Sequence, residues 1–212
     1  MATTSTSTHH LVCFSHLRWN FVHQRPQHLL TRFARNYMVQ YIEEPVFDGT
    51  ENYLEVTKPD DRVSVVVPHV RQGVAEDDAV MYQKEMLANY FIERDITQYI
   101  FWYYTPMALA VSDHFNPTLI IYDCMDELSA FKFAPQAMKD RERELLRKAD
   151  IVFTGGYSLY EAKKNRHPDV HAFPSSIDAD HYRVARLYNA DPADQATIPH
   201  PRIGYFGVID ER

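Results

Sequence analysis

Short, wholly apolar runs alternate with amphipathic helical stretches from Leu11 to Phe173, and this alternation leaves few folds open. Leu11–Phe14, Met38–Ile42, Val63–Val67, Tyr99–Tyr103, Leu119–Tyr122, Ile151–Phe153 and Val170–Phe173 read as strands. They are continuous rather than alternating, as strands covered on both faces are. Between them, Leu29, Leu30, Phe33 and Tyr37 recur at helical spacing, with Pro26 suited to a first turn. Glu76 to Asp95 carries the stripe Val80, Leu87, Tyr90 and Phe91. Further helices are predicted from Thr105-Pro106, over Pro135–Lys148 and over Ser158–Lys164, with a mixed helical stretch over Asp178–Tyr188. Glu44–Asp60, broken by Pro45 and Gly49, reads as a loop with at most a short strand. The pattern predicts an α/β, Rossmann-like, doubly wound and mainly parallel sheet with helices on both faces. In such sheets ligands gather at the carboxyl ends of the strands.

Composition narrows the classes. Of 212 residues, 45% are hydrophobic, enough for a packed core rather than disorder. A net charge of −7 argues against nucleic-acid binding, which needs a basic stripe. It also opposes a global attraction to anionic membranes, while leaving room for a local patch. Met1–Thr8 is a Ser/Thr-rich tail, expected to be disordered and lacking the apolar stretch of a signal peptide. Cys13 and Cys124 sit in strand-like runs, as reduced core thiols of a cytoplasmic protein do. The main domain is assigned to residues 9–190, a polar, Pro-rich linker to 191–201, and a new strand to 202–212. On pattern alone that final strand either opens a second domain or joins the first sheet.

The loops after the strands hold the candidate chemistry. Ser15–His28 offers three His, Arg18, Arg25 and Trp19 but no glycine, which argues against a dinucleotide-binding turn. Arg25 lies at a helix N-terminus, where an anion is favoured. His16, Arg18, Trp19 and Arg25 are therefore candidate binding residues, with solvated arginines and a packing tryptophan as the plainer reading. After the fifth strand, Asp123, Asp126 and Glu127 crowd three carboxylates into five residues. Such crowding raises carboxylate pKa values and suits a base or a hydroxyl acceptor in a cleft, although either aspartate can instead cap a helix. Gly155-Gly156 reads as a tight turn or as an amide cradle for an anion. Ser175, in Pro174-Ser175-Ser176, is a small polar cleft candidate. No spacing calls for a metal.

Taken in order, Trp19, Gln24-Arg25-Pro26-Gln27-His28, Tyr122-Asp123-Cys124-Met125-Asp126, Ala149–Thr154, Phe173–Asp178 and Ile203–Gly207 span nearly the whole chain. This set resembles the N-terminal domain of glycosyltransferase family 4 enzymes of GT-B architecture, in particular a bacterial subgroup of envelope polysaccharide synthesis. The resemblance implies two Rossmann-like domains across a cleft. The N-terminal one holds a glycan or lipid-linked sugar acceptor, and the C-terminal one a UDP-, GDP- or dTDP-sugar donor. It implies retention of configuration, no tightly bound cofactor or metal, and a cytoplasmic location at the inner membrane face, with peripheral membrane association or dimerisation as further expectations. It makes Ile203–Gly207 the first strand of the donor domain, absent beyond that point, so the chain alone is expected to be inactive. Family members commonly carry a His after the fifth strand; here the stretch reads Tyr122-Asp123-Cys124, so an Asp stands in its place. Asp123 and Asp126 become the catalytic candidates, and His16, Arg18, Trp19, Arg25, Gly155, Gly156 and Ser175 the binding set. The rival readings are a glycan- or partner-binding module without chemistry, a sugar-nucleotide epimerase-like enzyme, and a flavodoxin-like domain with an unrelated ligand.

Overall fold

The structure, a computed structural model, describes residues 9–132, 134–187 and 191–205. Its strands are β1 (His10–Ser15), β2 (Met38–Glu43), β3 (Val46–Gly49), β4 (Tyr53–Asp60), β5 (Val63–Arg71), β6 (Tyr99–Tyr103), β7 (Ile120–Cys124), β8 (Ile151–Thr154) and β9 (Val170–Ala172). The helices are α1 (Arg25–Phe33), α2 (Glu76–Glu93), α3 (Leu109–Ser112), α4 (Gln136–Lys148), α5 (Tyr157–Lys163) and α6 (Ala179–Arg183). The expected Rossmann-like architecture is present. One sheet runs β3-β5-β2-β1-β6-β7-β8-β9, parallel throughout that path, with β4 antiparallel on β5.

Side-chain alternation splits the core in two. Val12 and Phe14 face one layer with Leu87, Tyr90 and Phe91 of α2 and Leu145 and Leu146 of α4. Leu11 and Cys13 face the other, with Leu30 of α1, Tyr41, Trp102 and Tyr104. Cys13 stands level with Tyr41 on β2 and Trp102 on β6. Both cysteines are free and buried, and burial pushes the Cys124 thiol up to about 12. Buried Tyr90 and Gln40 satisfy one another, Tyr90 Oη donating to Gln40 Oε1 at 2.6 Å.

The stretch read as a loop holds two strands. Along Tyr53–Thr57 exposed and half-buried residues alternate, the signature of an edge strand with one wet face, and its polar content hides it from a search for continuous apolar runs. His69 on β5 ties both additions down. Its Nδ1 lies 2.8 Å from Asp48 on β3 and its Nε2 3.2 Å from Glu55 on β4, with the Tyr53 ring stacked on it at 4.5 Å.

The chain divides into two compact units, 1–175 and 176–212. The second holds α6, capped by Asp178 Oδ1, which accepts from the backbone of Asp180 and His181. Arg202 pairs with Asp191 at 2.8 Å within the expected linker region. Ile203–Tyr205 form neither helix nor strand, and the remainder of the expected final strand, Phe206 onward, lies outside the described residues.

The strand order reverses between β1 and β6, so the loops leaving these two strands diverge and open a crevice there. Helix α1 walls one side of it and is seated chiefly by Leu30, which has no exposed surface. Leu30→Ala is expected to lower unfolding free energy by about 2–5 kcal/mol in urea titration. A loss under about 1 kcal/mol would show that α1 is not anchored this way.

Candidate functional site

The loop from Ser15 to Gln24 is irregular but fixed by three buried polar side chains. Gln27 is the first. Its Nε2 donates to the carbonyls of Trp19 (2.9 Å) and Val22 (3.0 Å), and its Oε1 accepts from the Gln24 backbone N–H (3.0 Å). Glu43, at the end of β2, is the second, accepting from Arg18 Nη1 (2.8 Å) and from the Trp19 backbone N–H (2.7 Å). Tyr41 is the third; its hydroxyl lies 2.8 Å from both Ser15 Oγ and the Leu17 carbonyl. Trp19 packs edge-on against the Tyr41 ring at 5.0 Å. Arg18 and Trp19, two binding candidates, thus hold the loop in shape. Arg18 Nη1 also donates to the Glu44 carbonyl at 2.7 Å.

Below the loop lies a buried ion pair. Arg25 Nε and Nη2 donate to Asp123 Oδ2 and Oδ1, both at 2.9 Å, and Nη1 donates to the Phe173 carbonyl at 2.6 Å. Asp123 has no exposed surface and Arg25 is 8% exposed. Burial pushes the Asp123 carboxyl above its ordinary value, while Arg25 and then Tyr104 and Trp102 oppose it. A guanidinium cannot deprotonate and this fork geometry matches a carboxylate, so the pair is ionic. Tyr104 Oη and Trp102 Nε1 are buried without a hydrogen-bond partner of good geometry.

The three crowded carboxylates of the β7 loop go separate ways. Asp123 points down to Arg25. Glu127 accepts from Lys163 Nζ at 2.7 Å and from Ser129. Burial raises Glu127, but those two bonds bring its pKa below the ordinary value. Lys163 itself is buried and also bonds Glu142 at 2.7 Å, and Glu142 takes Arg166 at 3.0 Å. Asp126 is half-buried at the strand ends, close enough to raise the pKa of His16. Neither aspartate caps a helix, since Glu127 flanks the 3₁₀ turn Leu128–Ala130.

His16 is largely buried, and its Nδ1 meets no hydrogen-bond partner. Burial lowers its pKa; Asp126 and the Tyr104 backbone partly oppose this. The ring is therefore neutral near pH 7, with one nitrogen able to accept a hydrogen bond.

Gly155 belongs to the site for a steric reason. A Cβ there would meet the Met125 carbonyl oxygen at 2.8 Å, so only glycine lets the β8 loop lie on the β7 loop that carries Asp126. Its N–H donates to the Cys124 carbonyl (2.9 Å) and its carbonyl accepts from the Ser175 N–H (3.3 Å). Gly156 faces open space in extended backbone, and α5 after it is seven residues long. In the loop after β1 and just after β9, Phe21 and Phe173 stand more than half exposed.

The structure brings His16, Arg25, Asp123, Asp126 and Gly155 together at the ends of β1, β7 and β8. Asp123, expected to meet sugar hydroxyls, has both oxygens on Arg25 and none in solvent. Asp123 is raised by burial rather than by its neighbouring carboxylates, and Glu127 is lowered by Lys163 and Ser129. Gln27, Glu43 and Lys163 escaped the sequence reading, although Gln27 stands three residues after Gln24, at capping-box spacing. Among the described residues no three His, Cys, Asp or Glu side chains converge as metal ligands do, and no helix is long and apolar enough to cross a membrane.

No protein-family model and no curated protein matches the sequence. Solved structures do. An apo structure of OtsA aligns with 90% of this chain at 10% identity and a TM-score of 0.57. A structure described as trehalose-6-phosphate from E. coli bound with UDP-2-fluoro glucose aligns with 84% at 11% identity and 0.54. Sucrose-phosphate synthase from Thermosynechococcus elongatus aligns with 84% at 10% identity and 0.54. The chain spans about half the length of each of these proteins, 52–54%. The likeness establishes the fold, an α/β Rossmann-like unit that corresponds to about half of each of these proteins.

Two predictions follow from the loop geometry. Gly155→Ala is expected to destabilise the chain by about 1–3 kcal/mol and to shift the Met125 and Asp126 amide resonances, whereas Gly156→Ala leaves both unchanged; equal effects would refute the close-approach argument. His16, with a folded pKa below its ordinary 6.5, contributes stability that is present above that pH and lost as pH falls. His16→Gln should therefore flatten the decline in urea midpoint between pH 6.5 and about 5; an unchanged slope would show that His16 is not buried neutral.

Proposed function

We propose that this chain is the acceptor-side half of a sugar-nucleotide-dependent glycosyltransferase, a relative of family 4. A UDP-, GDP- or dTDP-sugar would be held by a second α/β domain following the 191–201 segment. The reading extends to retention of configuration and to envelope polysaccharide synthesis at the cytoplasmic membrane face. One observation carries it. At the point where the strand order reverses, the chain places a glycine-free, internally braced loop with a neutral, unpartnered imidazole nitrogen beside Asp126. Such a crevice suits sugar hydroxyls better than the pyrophosphate of a dinucleotide, which needs backbone amides at close approach. The GT-B likeness supports the same assignment, as do the exposed side chains of Phe21 and Phe173.

Within this reading each residue has a task. His16 and Asp126 meet acceptor hydroxyls. Arg25 and Asp123, spent on one another, position the loops. Arg18 and Trp19 fix the loop wall, and Gly155 lets Asp126 approach, with Ser175 bonded behind it. Holding the acceptor is only half of the entropic work of transfer, so the chain alone should lack activity. A glycan-binding module without chemistry is favoured by one fact, that Asp123 is wholly occupied by Arg25.

Calorimetric titration with UDP, GDP, dTDP and UDP-glucose is expected to show no saturable binding, whereas saturation-transfer NMR with a monosaccharide panel should show contacts that His16→Ala removes. Micromolar nucleotide binding would place the donor site in this half and overturn the assignment. Absence of any sugar contact would remove the acceptor role.

A further inference from the structure

A cavity of about 510 Å³ lies across the sheet from Arg25, on the α2 side. The sheet contributes Phe14 and Ile42 to it, α2 contributes Val80 and Leu87, and α3 contributes Ala110 and Val111. These side chains belong to the core layer that faces away from α1. The cavity reaches the same strand ends as the polar crevice, because Ser15, Glu43 and Thr105 line it too. Each of these adjoins a crevice residue: His16, the Glu43-bound Arg18, and Tyr104.

The polar atoms in its wall are spent. Ser15 Oγ takes the Leu17 N–H and lies on the Tyr41 hydroxyl. Glu43 uses both oxygens on Arg18 and Trp19. Thr105 Oγ1 accepts from Met107, and Gln83 Nε2 donates to the Ala79 carbonyl. The interior therefore selects apolar matter. Its volume falls in the range of small-molecule pockets. At the rim, Glu44 and Glu76 are exposed carboxylates, against a single cation, Arg141, which leans on Met107 Sδ at 3.6 Å. An anionic ligand is disfavoured there.

We propose that this cavity holds the apolar body of an uncharged acceptor, an aliphatic group whose hydroxyl-bearing end lies at the strand ends beside His16. The inference rests on the acceptor-side reading. It separates that reading into two subsites, a polar one on the α1 side and an apolar one on the α2 side. It also disfavours acceptors that would place a phosphate or carboxylate at the α2 rim.

The test uses methyl, butyl, hexyl and octyl glucosides below their micelle concentrations, titrated into the intact chain. Affinity is expected to rise about fourfold per methylene until the cavity is full. Ala110→Phe and Val80→Phe, which fill it from two different elements, should flatten that slope and leave methyl glucoside unchanged; circular dichroism identifies a variant that fails to fold, and the other then serves. His16→Ala should do the reverse, weakening methyl glucoside and keeping the slope. Hexanoate should bind more weakly than 1-hexanol. A slope that survives both filled variants, no dependence on chain length, or hexanoate binding as tightly as hexanol would overturn the proposal. If alcohols bind by chain length but the glucose moiety adds nothing, the apolar site stands and the acceptor-side reading falls.

Discussion

The Arg25–Asp123 pair is the interaction on which the rest of the site depends. Two charges taken out of water cost several kcal/mol each unless nearly every donor and acceptor is matched. Here the fork of the guanidinium meets both carboxylate oxygens, and its remaining arm meets the Phe173 carbonyl. One side chain at the start of α1 thereby fixes the end of β7 and the chain leaving β9. The three segments are far apart in sequence, so the crevice exists only in the folded sheet. Removing either partner leaves a buried charge alone, which is far worse than never having placed the pair.

The same economy recurs around it. Residues that look like free functional groups in the sequence are mostly occupied: Arg18 by Glu43, Glu127 by Lys163, Gln27 by three backbone groups. What remains unspent is small and well defined. Among the described residues His16 Nδ1, Tyr104 Oη and Trp102 Nε1 are buried side-chain atoms with no hydrogen-bond partner. A rigid frame with a few unsatisfied buried atoms is selective by nature, since each such atom rejects a neighbour that cannot complete it.

How much of this was legible in the sequence follows from physical range. The strands β1, β2, β5, β6 and β7 announce themselves because both faces are largely buried, β8 and β9 because they are short apolar-rich runs, and the helices between them because their stripes are regular. The edge strands β3 and β4 do not, because one wet face dilutes the signal. For the site, residue type and loop position were enough to single out His16, Arg25, Asp123 and Gly155. Their roles were not, because partnership is non-local: nothing near Asp123 in the chain reveals that a guanidinium 98 positions away takes both of its oxygens. The steric demand at Gly155 is likewise invisible until the Met125 carbonyl is in place. Lys163 read as an ordinary charged helix residue, and only packing shows it sealed between two glutamates.

The margins of the sheet bear on a different property, colloidal behaviour. A parallel sheet exposes a row of unsatisfied backbone groups at each side, and a free strand of another molecule can extend it. Here one margin is β9, only three residues long. The other is β4, whose outer end carries Lys58, Pro59 and Asp60, a proline that cannot donate flanked by charges that resist close approach. Neither margin offers the long, flat, apolar template that runaway strand addition requires, so a protein this rich in β-forming apolar segments can be concentrated without its sheets fusing edge to edge.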